Sequence, residues 1–415
     1  MFNKVIITFT TRVLTALLSV VNVLIGTNYL GVEGYGTVSL IILGITIYLM
    51  IQNLLTGSSI VFFISKIHTS SIALMSYAWA AISILIFISI VFVFKYLGEL
   101  FSWSFEIVPS KYIWHNILLA SGYGLMNIHL SMLLGRERIK AYNLIFLLQH
   151  LMATIMLTLY FVILGKDDIM YYLVALYISY FIAFLTAFIF TYSYLKNFQL
   201  PKWTEFKAML RYGVLGQTAN VFQLLNYRLS YYLIDIFIGR ASLGIFSAAT
   251  QISEGLWILG KSIATVQFAR ISNSVDFEYA KSMSIQLLKF TIVITSLPLI
   301  VFIFMPISWY TSFLGAEFSE VRSVIRWLSL GTLSLTASML LSHYFSGIGK
   351  IVKNTIGSGI GVISTIIFGF SLIPFFGIKA AALVNSISYL TSFIYLITQF
   401  NKERKLKIKD FLVKP

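Results

Sequence analysis

Asn28-Tyr29-Leu30-Gly31-Val32-Glu33-Gly34-Tyr35-Gly36-Thr37-Val38-Ser39-Leu40 is a glycine-rich stretch between two long apolar segments. It reads as a tight connection between two helices, because glycine accepts backbone angles that other residues resist. A related stretch, Ile238-Gly239-Arg240-Ala241-Ser242-Leu243-Gly244-Ile245-Phe246-Ser247-Ala248, follows 208 residues later. Gly31, Gly36 and Ser39 align with Gly239, Gly244 and Ser247. In a chain of 415 residues that offset is close to one half. The chain therefore reads as two similar halves, each opening with helix, short turn, helix.

Composition sets the solvent. Hydrophobic residues make up 58% and charged residues 11%. A soluble domain carries roughly a quarter charged residues, so this chain cannot cover itself with charge and lipid must form part of its surroundings. A bilayer core takes about 20 apolar residues of helix. That ruler gives twelve spans, at 5–28, 37–65, 72–94, 112–134, 142–164, 169–194, 210–238, 242–268, 285–306, 323–346, 353–374 and 378–400. Helix is the expected conformation, since an open sheet cannot satisfy its backbone in hydrocarbon. The expected class is an all-α polytopic membrane protein with twelve transmembrane helices in two six-helix bundles. The expected divisions are 1–200, 201–400 and a basic tail over 401–415. An even number of spans per half makes the two repeats parallel. Transporters built this way place their site between the halves.

The net charge of +15 is a topology signal rather than a nucleic-acid footprint, because the basic residues gather in loops between apolar runs. Twenty of the thirty lie on one side, in the N-terminus, alternate loops and the tail; seven lie on the other. The bias predicts that both termini are cytoplasmic. The first span is too long and too polar for a cleaved signal peptide. With no cysteine, thiol catalysis, disulfides and iron–sulfur clusters drop out. No Walker A motif, zinc-ligand cluster or GxSxG elbow is present, and no loop exceeds about 20 residues. The expectation is a protein that is not an enzyme and carries no cofactor or metal. The five histidines are scattered and read as structural.

Charges inside a bilayer are costly and face a cavity or a partner. There are five: Arg12, Arg228, Asp235, Glu254 and Lys261. Four of them flank the second copy of the turn. Arg228 and Asp235 are seven residues apart, which is two helical turns and one face. Gln217, Asn220 and Tyr231 fall within about 60° of that face. Glu254 and Lys261 share a face with Ser247, Thr250, Gln251 and Thr265. On the second span the repeat puts Thr46 and Asn53 at the places of Glu254 and Lys261. At about 1.5 Å per residue, Arg228 lies roughly 18 Å and Glu254 roughly 21 Å below the shared turn, so they can pair near the midplane. Two readings stay open. The charges either neutralise one another and hold helices together, or line a basic cavity for a large anion. Arg12, Arg228 and Lys261 are the candidate anion ligands, since Arg matches phosphate oxygens with paired hydrogen bonds. Asp235 and Glu254 are candidate coupling groups; Asn53, Gln217, Asn220, Tyr231 and Gln251 are candidate polar lining.

Arg12 with the Tyr29-Leu30-Gly31-x-x-Gly34-Tyr35-Gly36 turn, the segment Leu55-Thr56-Gly57-Ser58-Ser59 leading to Phe63-Ile64-Ser65-Lys66, and the basic Gly135–Lys140 turn resemble the oligosaccharide flippases. These are the O-antigen and capsule repeat-unit translocases of the multidrug/oligosaccharidyl-lipid/polysaccharide exporter superfamily. The resemblance implies two six-helix bundles in a V around a central cavity, opening alternately to each side. It implies an undecaprenyl-pyrophosphate-linked oligosaccharide as substrate, with the diphosphate beside Arg12 and Arg228. It further implies membrane lipids, a polymerase and other surface-polysaccharide assembly proteins as partners. Three rivals remain: a multidrug or toxin exporter, expected to carry acids in its first-half spans, where this chain has none; a peptidoglycan-precursor flippase, which often has two further spans; and a polymerase or ligase, expected to carry a large outer loop.

Overall fold

A computed structural model describes residues 2–100, 106–196, 199–272 and 277–404. Within its helices, the side chains of 2–9, 12, 215, 216, 219, 258, 259, 262, 265, 269, 272, 277, 403 and 404 lie outside the described residues, as does most of the basic tail. The order is α1 (Phe2–Gln52), α2 (Ser58–Phe63), α3 (Thr69–Leu100), α4 (Ile113–Gly135), α5 (Ile139–Leu157), α6 (Ile169–Tyr192), α7 (Trp203–Phe237), α8 (Arg240–Ser272), α9 (Phe277–Phe304), α10 (Ile307–Leu314), α11 (Val321–Gly347) and α12 (Val352–Arg404). No strand occurs among the described residues.

Eight of these helices are long and apolar enough to cross a membrane. Two of the eight are double. α1 turns back at Gly31 (φ 65°) and α12 at Gly377 (φ 68°). The reversal in α1 is visible in its packing: a side chain at Gly26 would meet the ring of Tyr35 at 3.1 Å, whereas nine residues of straight helix span about 13.5 Å. α7 and α8 have 35 and 33 residues, long enough to cross, and carry amides, hydroxyls and charges, such as Gln217, Asn220, Arg228, Gln251 and Glu254, that make them less apolar than the other eight. Together they make twelve membrane helices, six from each half of the sequence: an all-α polytopic membrane protein.

The repeat is written into the backbone. Glycine stands in the left-handed region at matching turns, Gly31 with Gly239 and Gly165 with Gly377. A third pair matches Glu137 (φ 55°) with Gly349 (φ 77°). Around that third pair the hydrogen bonds agree one by one. Arg138 N–H reaches Leu133 C=O at 2.8 Å, and Lys350 N–H reaches Phe345 C=O at 2.7 Å. Arg136 N–H to Met132 C=O (3.0 Å) is matched by Ile348 N–H to Tyr344 C=O (3.1 Å). This is the Schellman arrangement that satisfies the last carbonyls of a helix. The offset has grown from 208 at the first turn to 212 here, one helical turn more, as α11 has 27 residues where α4 has 23.

One expected span is shorter than its hydropathy suggested. The helix predicted over 37–65 ends at Gln52. Residues 53–57 form a turn in which Gly57 takes φ 54°, and the short α2 follows. An apolar run does not reveal such a break, because α2 is itself apolar.

The chain divides into two compact units, Met1–Asn220 and Val221–Pro415, with the boundary inside α7. In the first, the second limb of α1 packs with α3, α4, α5 and α6 around Val38, Ile41, Ile45, Phe87, Leu119, Leu157 and Leu173. In the second, α11 is central and packs against α8, α9 and α12. Its buried residues Val324, Leu328, Gly331, Leu335 and Phe345 follow the helical repeat. Lipid provides no hydrophobic drive between helices, so close packing and polar pairs must hold them. Gly331 shows this, since a side chain there would collide with the backbone of Ser386.

Candidate functional site

α7 and α8 descend side by side from Gly239, and their charges meet. Arg228 Nη1 lies 2.8 Å from Glu254 Oε1, and Arg228 Nη2 donates to Glu254 Oε2 at 3.0 Å. The second Nη1 hydrogen goes to Tyr231 Oη at 2.6 Å. Tyr231 Oη in turn lies 2.6 Å from Thr250 Oγ1, whose own proton goes to helix carbonyls; the tyrosine therefore donates to the threonine. Arg228 and Glu254 each keep a quarter of their side chain exposed, while Tyr231 is 3% exposed. The pair is thus backed by a buried hydroxyl relay and open on one side.

A guanidinium has five N–H donors in a rigid plane. Glu254 takes the end-on pair, and Tyr231 takes the remaining Nη1 hydrogen. Among the described residues nothing takes Nε–H or the second Nη2 hydrogen. Those two point the same way and form a side-on fork. Arg240 shows the fork in use within the same unit: its Nε and Nη2 hold Asp235 Oδ1 and Oδ2 at 2.6 and 3.0 Å.

The candidates predicted from sequence separate accordingly. Arg228, Tyr231 and Glu254 form one cluster. Asp235 belongs to another, clasped by Arg240 in the turn and 6% exposed. Lys261 is exposed on α8, two turns beyond Glu254, and Gln251 is half-buried on the same helix. Gln217 and Asn220 belong to the first unit; Asn220 Nδ2 donates to Gln217 Oε1 at 3.0 Å. Asn53 lies in the turn after α1, where its Oδ1 accepts from Thr56 Oγ1 and Asn127 Nδ2, each at 3.1 Å. The side chain of Arg12 lies outside the described residues.

Sequence reading missed one feature altogether and, for a histidine that it reads as structural, the partners. Tyr227, Trp257 and Tyr389 form a triangle with ring centroids 5.2 to 6.1 Å apart beside the Arg228 cluster. Tyr389 comes from α12, so no local spacing announces it. In the first unit, buried His129 joins α3 to α6. Thr191 Oγ1 donates to Ala187 C=O at 3.0 Å. His129 Nδ1–H must therefore donate to Thr191 Oγ1 (2.7 Å), leaving Nε2 to accept from Tyr77 O–H (2.7 Å). The imidazole is neutral and fully partnered, a structural hub.

Comparison with known proteins adds the following. A family model described as polysaccharide biosynthesis protein matches residues 1–275, well over half the chain. A comparison of the sequence with curated proteins returns no match. Among solved structures, the lipid II flippase MurJ in an inward closed conformation is similar at a TM-score of 0.78 and 16% identity, over 99% of this chain and 89% of that one. A multidrug resistance MATE family transporter of the MOP superfamily, inward-facing, is similar at 0.69 and 15%, over 97% and 99%. A MOP superfamily transporter from Pyrococcus furiosus, described by the reverse polarity of its binding pocket, is similar at 0.59 and 14%, over 96% and 94%. At these identities the likeness is one of fold.

Proposed function

The chain belongs to the polysaccharide biosynthesis protein family, and from that premise we propose that it is a flippase. It moves an undecaprenyl-pyrophosphate-linked oligosaccharide repeat unit from the cytoplasmic to the outer leaflet by alternating access. Surface polysaccharide of the O-antigen or capsule kind is the destination, and a polymerase on the outer side is the next partner. One observation carries the substrate class: Arg228 is held rigid by Glu254 and Tyr231 while its side-on fork stays uncommitted. Such a fork fits two phosphate oxygens. Arg12 and Lys261 are proposed as further positive groups toward the same anion, from their positions in the sequence.

The ion pair gives the fork a reason to be preset. Glu254 cancels the charge of Arg228 in the empty protein, so the guanidinium need not be hydrated inside the membrane. The anion then meets a donor pair that is already oriented. The same geometry speaks against export of cationic drugs, because the two carboxylates within the spans of α7 and α8, Asp235 and Glu254, are already clasped by arginines. Energy coupling is assigned to Glu254 rather than Asp235 in this reading, since Glu254 is the more exposed of the two.

The test is transport of a fluorescent lipid-linked oligosaccharide in proteoliposomes that contain the purified full chain. Accumulation of the label in the opposite leaflet is expected. If the protein moves no diphosphate-linked lipid, and its deletion leaves surface glycan unchanged, the assignment fails. Both termini are proposed to be cytoplasmic. The native chain has no cysteine, so single cysteines report sidedness cleanly. One at Lys140 should be shielded from an impermeant thiol reagent in intact cells, and one at Lys166 labelled; the opposite pattern inverts the topology.

A further inference from the structure

A pocket of about 370 Å³ lies in the first unit, where the α4–α5 turn meets the end of α6. Its wall is apolar, with Leu133, Leu144 and Phe190. Its rim is charged, with Glu137, Arg138 and Lys140. Leu144 and Phe190 are 53% and 45% exposed on membrane-spanning helices, so hydrocarbon covers them in a bilayer. The rim stands at three helix ends, Gly135, Ile139 and Tyr192, which is the level of the lipid headgroups. The pocket thus runs from the headgroup layer into the acyl layer.

The rim is built rather than loose. Arg138 Nε donates to Tyr194 Oη at 3.0 Å, and the Arg136 guanidinium sits 4.5 Å over the ring of the same tyrosine. One aromatic side chain therefore fixes two arginines beside the opening. Lys140 is exposed and makes no hydrogen bond or ion pair among the described residues. Against Glu137 these three give the opening a net positive charge. The turn itself is held by the Schellman bonds, with Glu137 in the left-handed region.

We propose that this pocket binds an anionic phospholipid, its phosphate against Arg138 and Lys140 and one acyl chain along Leu144 and Phe190. A positive rim on an apolar slot at headgroup depth fits a phosphate that carries a chain, and the basic side of the membrane is where anionic lipid is attracted. The matching turn of the second half lacks the device. Gly349 replaces Glu137, Lys350 replaces Arg138, and Val352 stands where Lys140 does. The site does not depend on what the protein transports.

The test uses the full chain in nanodiscs of equal parts phosphatidylglycerol and phosphatidylcholine, with retained lipid read by native mass spectrometry. Wild type should keep phosphatidylglycerol in preference. Each basic residue near the membrane surface contributes roughly fivefold in affinity, so R138Q/K140Q should weaken retention about twenty-five-fold. R138K/K140R should retain it, and L144E, which puts an acid into the acyl slot, should lose it. K350Q at the equivalent turn should change nothing. Millimolar glycerol phosphate, which has the anion without the chain, should not compete. The proposal is overturned if R138Q/K140Q keeps the preference, if phosphatidylcholine is retained equally, or if glycerol phosphate displaces the lipid.

Discussion

The two halves share a skeleton and differ in charge at matched positions. Counted from the shared turn, Arg228 corresponds to Val20, Tyr231 to Val23, Asp235 to Thr27, Arg240 to Val32 and Glu254 to Thr46. In the first half the threonines close onto their own helix: Thr27 donates to Val23 C=O at 2.9 Å and Thr46 to Ile42 C=O at 2.9 Å. In the second half the same places hold two arginine–carboxylate pairs that tie α7 to α8 and to the turn. Within its membrane helices the first half has neutral polar groups in contact, such as Tyr77–His129–Thr191. A fold needs the turns and small-residue contacts, and both halves have them. The two arginine–carboxylate pairs of α7 and α8 are an addition that the second half makes to the shared skeleton.

Five single substitutions and one double variant sharpen that contrast. The largest effect is expected from E254Q, which leaves Arg228 without its counter-charge. The pair is a quarter exposed, so the loss should be about 2 kcal/mol rather than the full cost of a buried charge. Melting of the purified protein measures it. The double variant R228Q/E254Q should recover most of that stability and none of the transport. H129L comes next. It strands the Tyr77 hydroxyl and should cost about 2 kcal/mol or less, while the transport rate per folded molecule stays near wild type. G349A forces alanine into the left-handed region and should cost about 1 kcal/mol. E137G at the matching turn should be near neutral or stabilising, because a non-glycine residue already bears that conformation there. T46V is expected to be smallest, below about 0.5 kcal/mol. Equal effects of T46V and E254Q would erase the asymmetry between the halves.

Much of the fold is legible in the sequence because membranes restrict backbone choice. Apolar length gives the spans, and glycines at constant offset give the turns. Uniform helical rise brings Arg228 and Glu254 to similar depth without any tertiary information. Three things are not legible. Periodicity groups Asp235 with Arg228, but its partner is Arg240, the first residue of α8, which hydropathy assigns to the loop. The break between Gln52 and Ser58 hides in an apolar run. The Tyr227–Trp257–Tyr389 and Tyr77–His129–Thr191 groups draw members from different helices, and rotation about each helix axis is set by packing that no local pattern records.

The uncommitted fork of Arg228 is the central claim, and R228K tests it most directly. Lysine keeps the charge and can keep Glu254, but it has no planar donor pair. Transport of a diphosphate-linked oligosaccharide into proteoliposomes should fall at least tenfold in R228K, about 1.4 kcal/mol in the rate-limiting state, with melting close to wild type. Wild-type transport by R228K would contradict it, because a positive charge at that place would then suffice.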